Sequence, residues 1–417
     1  MKISELINQE KPSNSIRNLL ILIAVYHFIL TFIAGSFHFD NLIKICVSEC
    51  GLITDTIVTG GLSATLCNTS LVMMIAIAAV HYSGAAFSGN SLACIIMTAG
   101  FAAFGINPVN MIPVLFGTWL YSLLAKESFS KNVHIGLWAC CTGPIVQYML
   151  VHGGFSPIIN TVLAAFMGII CGFLVPPFSA FTAKMHEGMN LYNVGFASGF
   201  VLIFLSAVLK GFGYTFEALS SWNTEHPFFL IVYLEILFIL WFIAGYVLNG
   251  NSLNHLKEIG NRSGQKCDFI QTDGLGASMM NMAIVGEIAI LYILVIRGNF
   301  SGPVLAGIYS VFGYGAFGKQ YKNVVWILLG IVILSFFCVW SLQDPAIQFS
   351  ALLGTCICPI GGKYGILWGM IAGMVHICIV RQTGSFHSWL NLYNNGFAGG
   401  LASTMVLAVA KIFHINT

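Results

Sequence analysis

The stretch Asp55-Thr-Ile-Val-Thr-Gly-Gly-Leu-Ser-Ala-Thr-Leu-Cys-Asn68 occurs a second time, in altered form, as Asp268-Phe-Ile-Gln-Thr-Asp-Gly-Leu-Gly-Ala-Ser-Met-Met-Asn281. Seven of the fourteen positions are identical at an offset of 213 residues. At the same offset, 87–105 matches 300–318 at ten of nineteen positions. Internal similarity of this length predicts a fold made of two copies of one unit.

A third pair of segments extends the repeat toward the end of each copy. His186-Glu-Gly-Met-Asn-Leu-Tyr-Asn-Val-Gly-Phe-Ala-Ser-Gly199 matches His387-Ser-Trp-Leu-Asn-Leu-Tyr-Asn-Asn-Gly-Phe-Ala-Gly-Gly400 at nine of fourteen positions. The duplication therefore covers nearly the whole chain. We predict a cytoplasmic N-terminus over 1–16, a first membrane repeat over 17–213, a connector over 214–225 and a second membrane repeat over 226–413.

Apolar residues dominate the composition. Hydrophobic residues make up 57% of the 417 residues and charged residues only 8%, which excludes a water-soluble globular protein. Apolar stretches of about 18 to 25 residues, each able to cross a bilayer core of about 30 Å as a helix, recur along the chain. We predict an all-α, polytopic membrane protein of about 14 transmembrane helices, near 17–35, 61–82, 88–106, 108–125, 133–151, 157–178, 192–212, 226–249, 275–296, 301–318, 323–342, 346–361, 364–380 and 391–413.

The span count predicts how the two repeats are oriented. Seven spans per repeat is an odd number, so the second copy would enter the membrane the other way up, as in inverted-repeat transporters. Thirteen of the seventeen Lys and Arg residues, Lys319 among them, then lie on the N-terminal side, which predicts cytoplasmic N- and C-termini in the cell membrane. The first apolar stretch lacks a cleavage site and is expected to remain as a span. The Gly-rich segments 88–106, 301–318 and 346–361 are alternatively re-entrant.

Repeated polar residues are the first candidates for a solute site. Amides in hydrocarbon need partners or water, so the asparagines could either cap helix starts or contact a solute. The same two alternatives hold for acidic and hydroxyl residues that precede apolar runs, where a broken helix could face a central site. The candidates are Asn190, Asn193, Asn391, Asn394, Asp55, Thr59, Asp268, Thr272, Ser88, Ser301, His186 and His387.

Two acidic residues break the repeat inside predicted spans. Glu287 aligns with Met74, and Glu235 aligns with Leu22. A carboxylate inside a membrane is costly and is by default a functional candidate. Glu287 is therefore a candidate for carrying a coupling proton or pairing with sodium, whereas a protonated, hydrogen-bonded core glutamate is the alternative.

Several function classes lack their signatures. The twelve cysteines lie mostly in apolar stretches and show no zinc-type spacing, so we expect no metal site. No phosphate-binding loop, nucleophile elbow or dinucleotide fingerprint occurs, and His186-Glu187 lacks the second histidine of a metal-binding helix. We therefore expect no enzyme and no cofactor beyond a coupling ion, H+ or Na+. A net charge of +2, scattered over short connections, indicates no nucleic-acid partner.

The repeated Asn-Leu-Tyr-Asn-x-Gly-Phe-Ala-x-Gly element, with Asp-x-Ile-x-Thr-x-Gly-Leu upstream in both halves, resembles a family of bacterial integral membrane proteins. The family is common in Gram-positive bacteria and is known only as a duplicated domain of unknown function. The resemblance implies a plasma-membrane protein and no particular activity. In architecture alone, the seven-plus-seven arrangement is similar to nucleobase permeases and to sulfate or bicarbonate transporters, whose third and tenth spans meet at a central site.

Together these features predict a secondary transporter for a small polar or anionic solute, with its site between the repeats near the bilayer midplane. A passive channel is the alternative, because glycines and small residues could also line a fixed pore. A membrane-embedded enzyme acting on lipid through His186, Glu187 or His387 is a third hypothesis. The expected partners are the lipid bilayer and the solute, and the sequence leaves homo-oligomer formation open.

Overall fold

A computed structural model describes residues 3–414, and the side chains from residue 13 to residue 413. The described residues form an all-α protein. The first half contains α1 Ile3–Ile33, α2 Phe39–Val47, α3 Thr56–Ser83, α4 Gly89–Gly100, α5 Pro108–Leu124, α6 Phe129–Ala139, α7 Pro144–His152, α8 Pro157–Met185 and α9 Asn193–Gly211. The second half contains α10 Pro227–Leu248, α11 Asn254–Ile259, α12 Phe269–Asp273, α13 Leu275–Val295, α14 Gly302–Tyr314, α15 Tyr321–Ser335, α16 Pro345–Gly354, α17 Pro359–Tyr364, α18 Ile366–Thr383 and α19 Asn394–His414.

Helix lengths indicate a multi-pass membrane protein. Eight described helices are long and apolar enough to cross a bilayer, or up to nine if the bent pair α6–α7 is one span. Every predicted span coincides with a helix or helix pair, but the count of fourteen full spans is not confirmed. The Gly-rich segments contain α4, α14 and α16, of 12, 13 and 10 residues, which at about 1.5 Å per residue are too short to cross alone.

The N-terminal segment and one connection differ from the sequence prediction. Residues 1 and 2 of the predicted segment 1–16 lie outside the described residues, and the rest of it belongs to α1. The helix α2, which was not predicted, follows the first span. It carries Asp40 and Lys44 among its apolar residues and buries Leu42 and Ile45, so it lacks the continuous apolar run by which spans were recognised.

A helix is broken at the same repeat position in both halves. Gly61 interrupts α3 with φ 82° and ψ 162°, and Gly274 separates α12 from α13 with φ 90° and ψ 162°. These backbone angles are accessible to glycine because it has no Cβ. The positions are 213 residues apart, so the repeated glycine predicts a repeated break.

The two repeats contact each other through equivalent helices. α4 packs against α14, where a Cβ on Gly100 would lie 2.4 Å from Cβ of Tyr309. The N-terminal turns of α9 and α19 meet in the same way. A Cβ on Gly199 would lie 2.2 Å from the Phe397 ring, and a Cβ on Gly400 would lie 2.2 Å from the Phe196 ring. Glycine at these positions allows the close approach of the helices.

Two aspartates link the repeats reciprocally. Asp55 caps α3 and also accepts hydrogen bonds from the backbone N–H groups of Gly302 and Asn223, both at 2.9 Å. Asp268 caps α12 and lies against the backbone of Asn90 and Gly89 at the start of α4. Gly89 and Gly302 are themselves repeat equivalents. Each repeat therefore supplies a carboxylate to the first turn of the short helix in the other repeat, and we call these two contacts the aspartate clasps.

Candidate functional site

A cavity of about 200 Å³ lies between the two repeats. It sits beside the α4–α14 contact and the first turn of α9, so both repeats contribute to its wall. Polar and aromatic side chains from the first repeat are Asn90, Trp138, His186 and Tyr192, and those from the second are Lys266, Tyr314 and Tyr393. This is the site at which the structure brings sequence-predicted residues together.

His186 fixes the bend that leads into α9. Its Nδ1 accepts hydrogen bonds from the backbone N–H groups of Gly188 and Asn190, both at 3.2 Å. Because Nδ1 accepts, the proton is on Nε2, which donates to Oδ1 of Asn193 at 2.9 Å. Burial lowers the pKa of His186, which favours this neutral tautomer. Both ring nitrogens of His186 are therefore hydrogen-bonded within the fold.

The asparagines of the repeated element join the two repeats. Nδ2 of Asn190 donates to the carbonyl of Gly396 at 2.9 Å, and Nδ2 of Asn391 donates to the carbonyl of Gly195 at 3.1 Å. Each Oδ1 accepts from the backbone N–H two residues ahead, at 3.0 Å. These bonds favour the capping interpretation for the amides, although Asn190 still contributes to the cavity wall.

The second copy of the element repeats the histidine–asparagine bond in a closed environment, but Nδ1 of His387 is buried without a hydrogen-bond partner. Nε2 of His387 bonds Oδ1 of Asn394 at 2.9 Å, and Nδ2 of Asn394 bonds the carbonyl of Val380 at 3.2 Å. His387 and Asn391 are 0% exposed, and Asn394 is 6% exposed. None of these three lines the cavity described above.

In the first repeat, buried aromatic rings occupy the positions that are equivalent to two cavity-lining residues of the second repeat. Phe101 and Phe104 occupy the places of Tyr314 and Phe317, and both are fully buried. The rings of Phe104 and Phe349 lie 4.7 Å apart, and those of Phe101 and Tyr393 lie 4.4 Å apart. We call Phe101, Phe104 and Phe349 the aromatic seal. One side of the repeat interface therefore holds a cavity, whereas the equivalent side is packed.

Lys319 is a functional candidate that the sequence analysis missed. It was counted among the cytoplasmic lysines, but the structure buries it completely in the connection between α14 and α15. Its Nζ donates to the hydroxyl of Tyr192 at 2.5 Å, and that hydroxyl also bonds Ser310. Burial lowers the pKa of Lys319 to about 7. The available signal was its alignment with Ile106: Lys319 is a charged residue at a position where the other repeat has an apolar one, as Glu287 is.

One basic side chain lines the cavity. Lys266 is exposed and packs against Gly188. Glu187, which is adjacent in sequence to the cavity residue His186, pairs with Lys411 at 2.5 Å, so these two charges offset each other. The ammonium group of Lys266 attracts anions to this side of the cavity.

Glu287 does not line this cavity. It lies on α13, is half-buried, and lines a separate groove with Phe238, Phe242 and neighbouring apolar residues. Its carboxyl group lies close to that of Glu235 on α10. The two residues that break the repeat therefore lie next to each other, in a groove separate from the cavity that Asn190 and Asn193 line.

The remaining predicted site residues form local hydrogen bonds at the starts of their own helices, where only Ser88 and Ser301 are caps. Thr59 donates to the carbonyl of Asp55 at 3.2 Å, and Thr272 donates to the carbonyl of Asp268 at 3.1 Å. Oγ of Ser301 accepts from the backbone N–H of Val304 at 3.3 Å, and Ser88 forms a capping box with Ser91. Within the described residues, no group of three or more His, Cys, Asp or Glu side chains is placed to hold a metal ion.

The family model of DUF1576, described as a protein of unknown function, matches residues 35–211 and 248–412. Comparison with curated proteins and with solved structures gives no match. The two matched segments coincide with the two halves of the internal repeat, which is consistent with a duplicated domain. Because they cover most of the chain, the protein belongs to the DUF1576 family.

Proposed function

We propose that the protein is a secondary transporter for a small anionic solute, which binds in the cavity between the repeats. In this proposal it spans the cell membrane as fourteen segments in two inverted seven-segment repeats, with both termini cytoplasmic and α4, α14 and α16 as re-entrant or incomplete spans. The observation that carries the proposal is the unequal packing of the repeat interface. A cavity lies on one side and the aromatic seal fills the equivalent position on the other.

This inequality fits one state of an alternating-access cycle. Inverted repeats allow a protein to exchange the environments of its two halves, so that a cavity open to one side closes while its equivalent opens. The contacts between α9 and α19 and between α4 and α14 are made by equivalent positions in the two repeats. The two halves can therefore exchange environments while the same helix pairs stay in contact. A fixed pore needs no seal, so the packed side favours a transporter over a passive channel.

The cavity chemistry favours an anion. None of the described residues that line it is acidic, while Lys266 lies at its mouth and Lys319 lies behind Tyr192. Nε1 of Trp138 is buried without a hydrogen-bond partner, and the first turn of α9, at Val194 and Gly195, faces the cavity with the positive end of its helix dipole. A volume of about 200 Å³ corresponds to roughly seven water molecules at about 30 Å³ each, which suits a solute of only a few heavy atoms.

The experiment uses proteoliposomes and three probe anions that differ in shape: phosphate, pyruvate and malonate. Thermal stability of the purified protein is measured first, because an anion at 100 times its Kd adds about 2.7 kcal/mol. Uptake of the stabilising anion is then measured with and without pH and sodium gradients. We expect saturable uptake that responds to a gradient. Uptake that stays proportional to concentration would indicate a channel, and a flat panel in folded protein would refute anion binding.

The matched variants are Trp138→Phe and Trp119→Phe. Trp138→Phe removes the unpaired indole N–H of a residue that lines the cavity, whereas Trp119 is 42% exposed on the helix surface. A hydrogen bond to a charged group contributes about 1.5–3 kcal/mol, so we expect Trp138→Phe to weaken anion binding roughly 10- to 100-fold. Trp119→Phe should leave it unchanged. Equal affinities in the two variants would place the solute elsewhere.

A further inference from the structure

Lys319 lies directly behind the wall of the cavity. Its Nζ bonds the hydroxyl of Tyr192, and it lies 4.7 Å from the centre of the Tyr192 ring and 5.5 Å from the centre of the Tyr314 ring. Both tyrosines line the cavity. A charge on Lys319 is therefore separated from a bound solute by a single layer of side chains.

No counter-charge accompanies this amine. The titratable groups that face it are Tyr192, Tyr314 on α14, and the thiols of Cys356 and Cys358 at the start of α17. Phenols and thiols are neutral at pH 7. No ion pair found among the described side chains includes Lys319. A buried ammonium without a counter-charge is costly. The neutral amine is therefore favoured when no anion is bound in the cavity.

The first repeat provides an internal control for the role of the side chain. Ile106 occupies the equivalent position, and its carbonyl accepts a hydrogen bond from Asn68 at 2.8 Å. The carbonyl of Lys319 accepts the equivalent bond from Asn281, also at 2.8 Å. The backbone thus adopts the same arrangement with isoleucine or lysine. The amine adds a chemical property that the scaffold does not require.

We infer that Lys319 takes up one proton when an anion occupies the cavity and releases it when the anion leaves, so that solute and proton move together. This inference rests on the proposed function. On the open side, the lone pair of the amine accepts H+ from the solvent and forms –NH3+ behind the cavity wall. On the other side, the ammonium group returns this H+ to the solvent. A monoanion and one proton together carry no net charge, which lowers the cost of enclosing either alone.

The physical basis is reciprocal linkage. A negative charge in the cavity stabilises the ammonium form of a nearby amine. By thermodynamic necessity, protonation of Lys319 then raises the affinity for the anion by the same factor. Anion binding should strengthen as the pH falls through the neutral range, where burial places the pKa of Lys319 at about 7.

The first test needs no solute. The thermal stability of the purified full-length protein is compared at about pH 6 and about pH 9 in the wild type, Lys319→Met, Lys319→Gln and the control Lys322→Met. In this range the unfolded chain keeps the lysine protonated while the folded protein releases the proton, so the contribution of Lys319 to stability rises with pH. Titration of the cysteines is common to all four proteins, so the variants are compared with the wild type at each pH. The stability of the wild type relative to both Lys319 variants should rise between the two pH values, whereas its stability relative to Lys322→Met, at an exposed lysine, should stay constant. Unchanged pH dependence in the Lys319 variants would overturn the inference.

The second test measures protons directly. The stabilising anion is added to weakly buffered protein at about pH 8, where the amine with a pKa of about 7 is mostly neutral. We expect the wild type to take up close to one proton more per bound anion than Lys319→Met or Lys319→Gln, which correct for protons exchanged by the anion itself. Equal proton uptake in the wild type and these variants would overturn the inference while leaving the proposed function intact. If no anion stabilises the wild type, the proposed function itself fails and the coupling fails with it.

Discussion

The two copies of the His-Asn element share one hydrogen bond but differ at the other ring nitrogen and in their surroundings. His186 and His387 each bond the asparagine seven residues ahead at 2.9 Å. The first copy lines a cavity, whereas the second is buried beside Phe397. The repeated residues therefore build the scaffold, and the residues that differ between repeats determine what each side can bind.

The largest expected effect concerns the aspartate clasps. Asp55→Ala leaves the buried N–H groups of Gly302 and Asn223 without partners, each at a cost of about 1–3 kcal/mol, in addition to the lost cap of α3. The side chain of Asp268 is less buried than that of Asp55. Asp268→Ala should therefore cost only about 1–2 kcal/mol. Chemical unfolding of both variants tests the order, and equal losses would show that the two clasps are energetically equivalent.

A smaller and symmetrical effect is expected at the α9–α19 contact. Gly199→Ala and Gly400→Ala each place a Cβ 2.2 Å from a phenylalanine ring of the other repeat, and such overpacking costs about 1–3 kcal/mol. The control Gly211→Ala on the same helix α9 meets nothing within 4 Å and should be neutral or slightly stabilising. Thermal unfolding of the three variants should separate the pair from the control. A large loss in only one of the pair would contradict the equivalence of the two repeats.

The smallest effect lies in the acid dependence of stability. Burial lowers the pKa of His387 from 6.5 to about 4. Between these values the unfolded chain binds more protons than the folded protein, so stability falls as the pH drops through this range. His387→Gln should reduce that fall and change stability at pH 7 little. His186→Gln should have a weaker effect, because the side chain lies at the cavity. Melting temperatures across the acid range check the difference, and equal effects would indicate equal burial.

The sequence predicted the long helices well because each of them carries a long apolar run. A broken helix near Asp55 and Asp268 was one of two alternatives, and the structure places the breaks at Gly61 and Gly274, where a single glycine has the same backbone role twice. The amphipathic helix α2 was missed because Asp40 and Lys44 interrupt its apolar pattern. Local pattern therefore predicts which segments are helical better than it predicts short helices between them.

The candidate site was predicted less completely. His186, Asn190 and Asn193 do line a cavity, but their hydrogen-bond partners include atoms 206 residues away, and such contacts leave no local signature. Lys319 lies three residues before the exposed Lys322, so charge and sequence position alone could not distinguish the two. Glu287 was recognised as unusual, but its partner Glu235 lies on another helix.

The aspartate clasps also bear on how the chain is made. The first turn of α4 is capped locally by Ser88 and Ser91, but it also lies against Asp268, which is synthesised 179 residues after Gly89. During translation the first repeat therefore lacks this contact until the second repeat is made. A ribosome-attached first half should bind insertion factors or chaperones that the finished protein releases, and production of the two halves as separate chains should yield stable protein only when both are present.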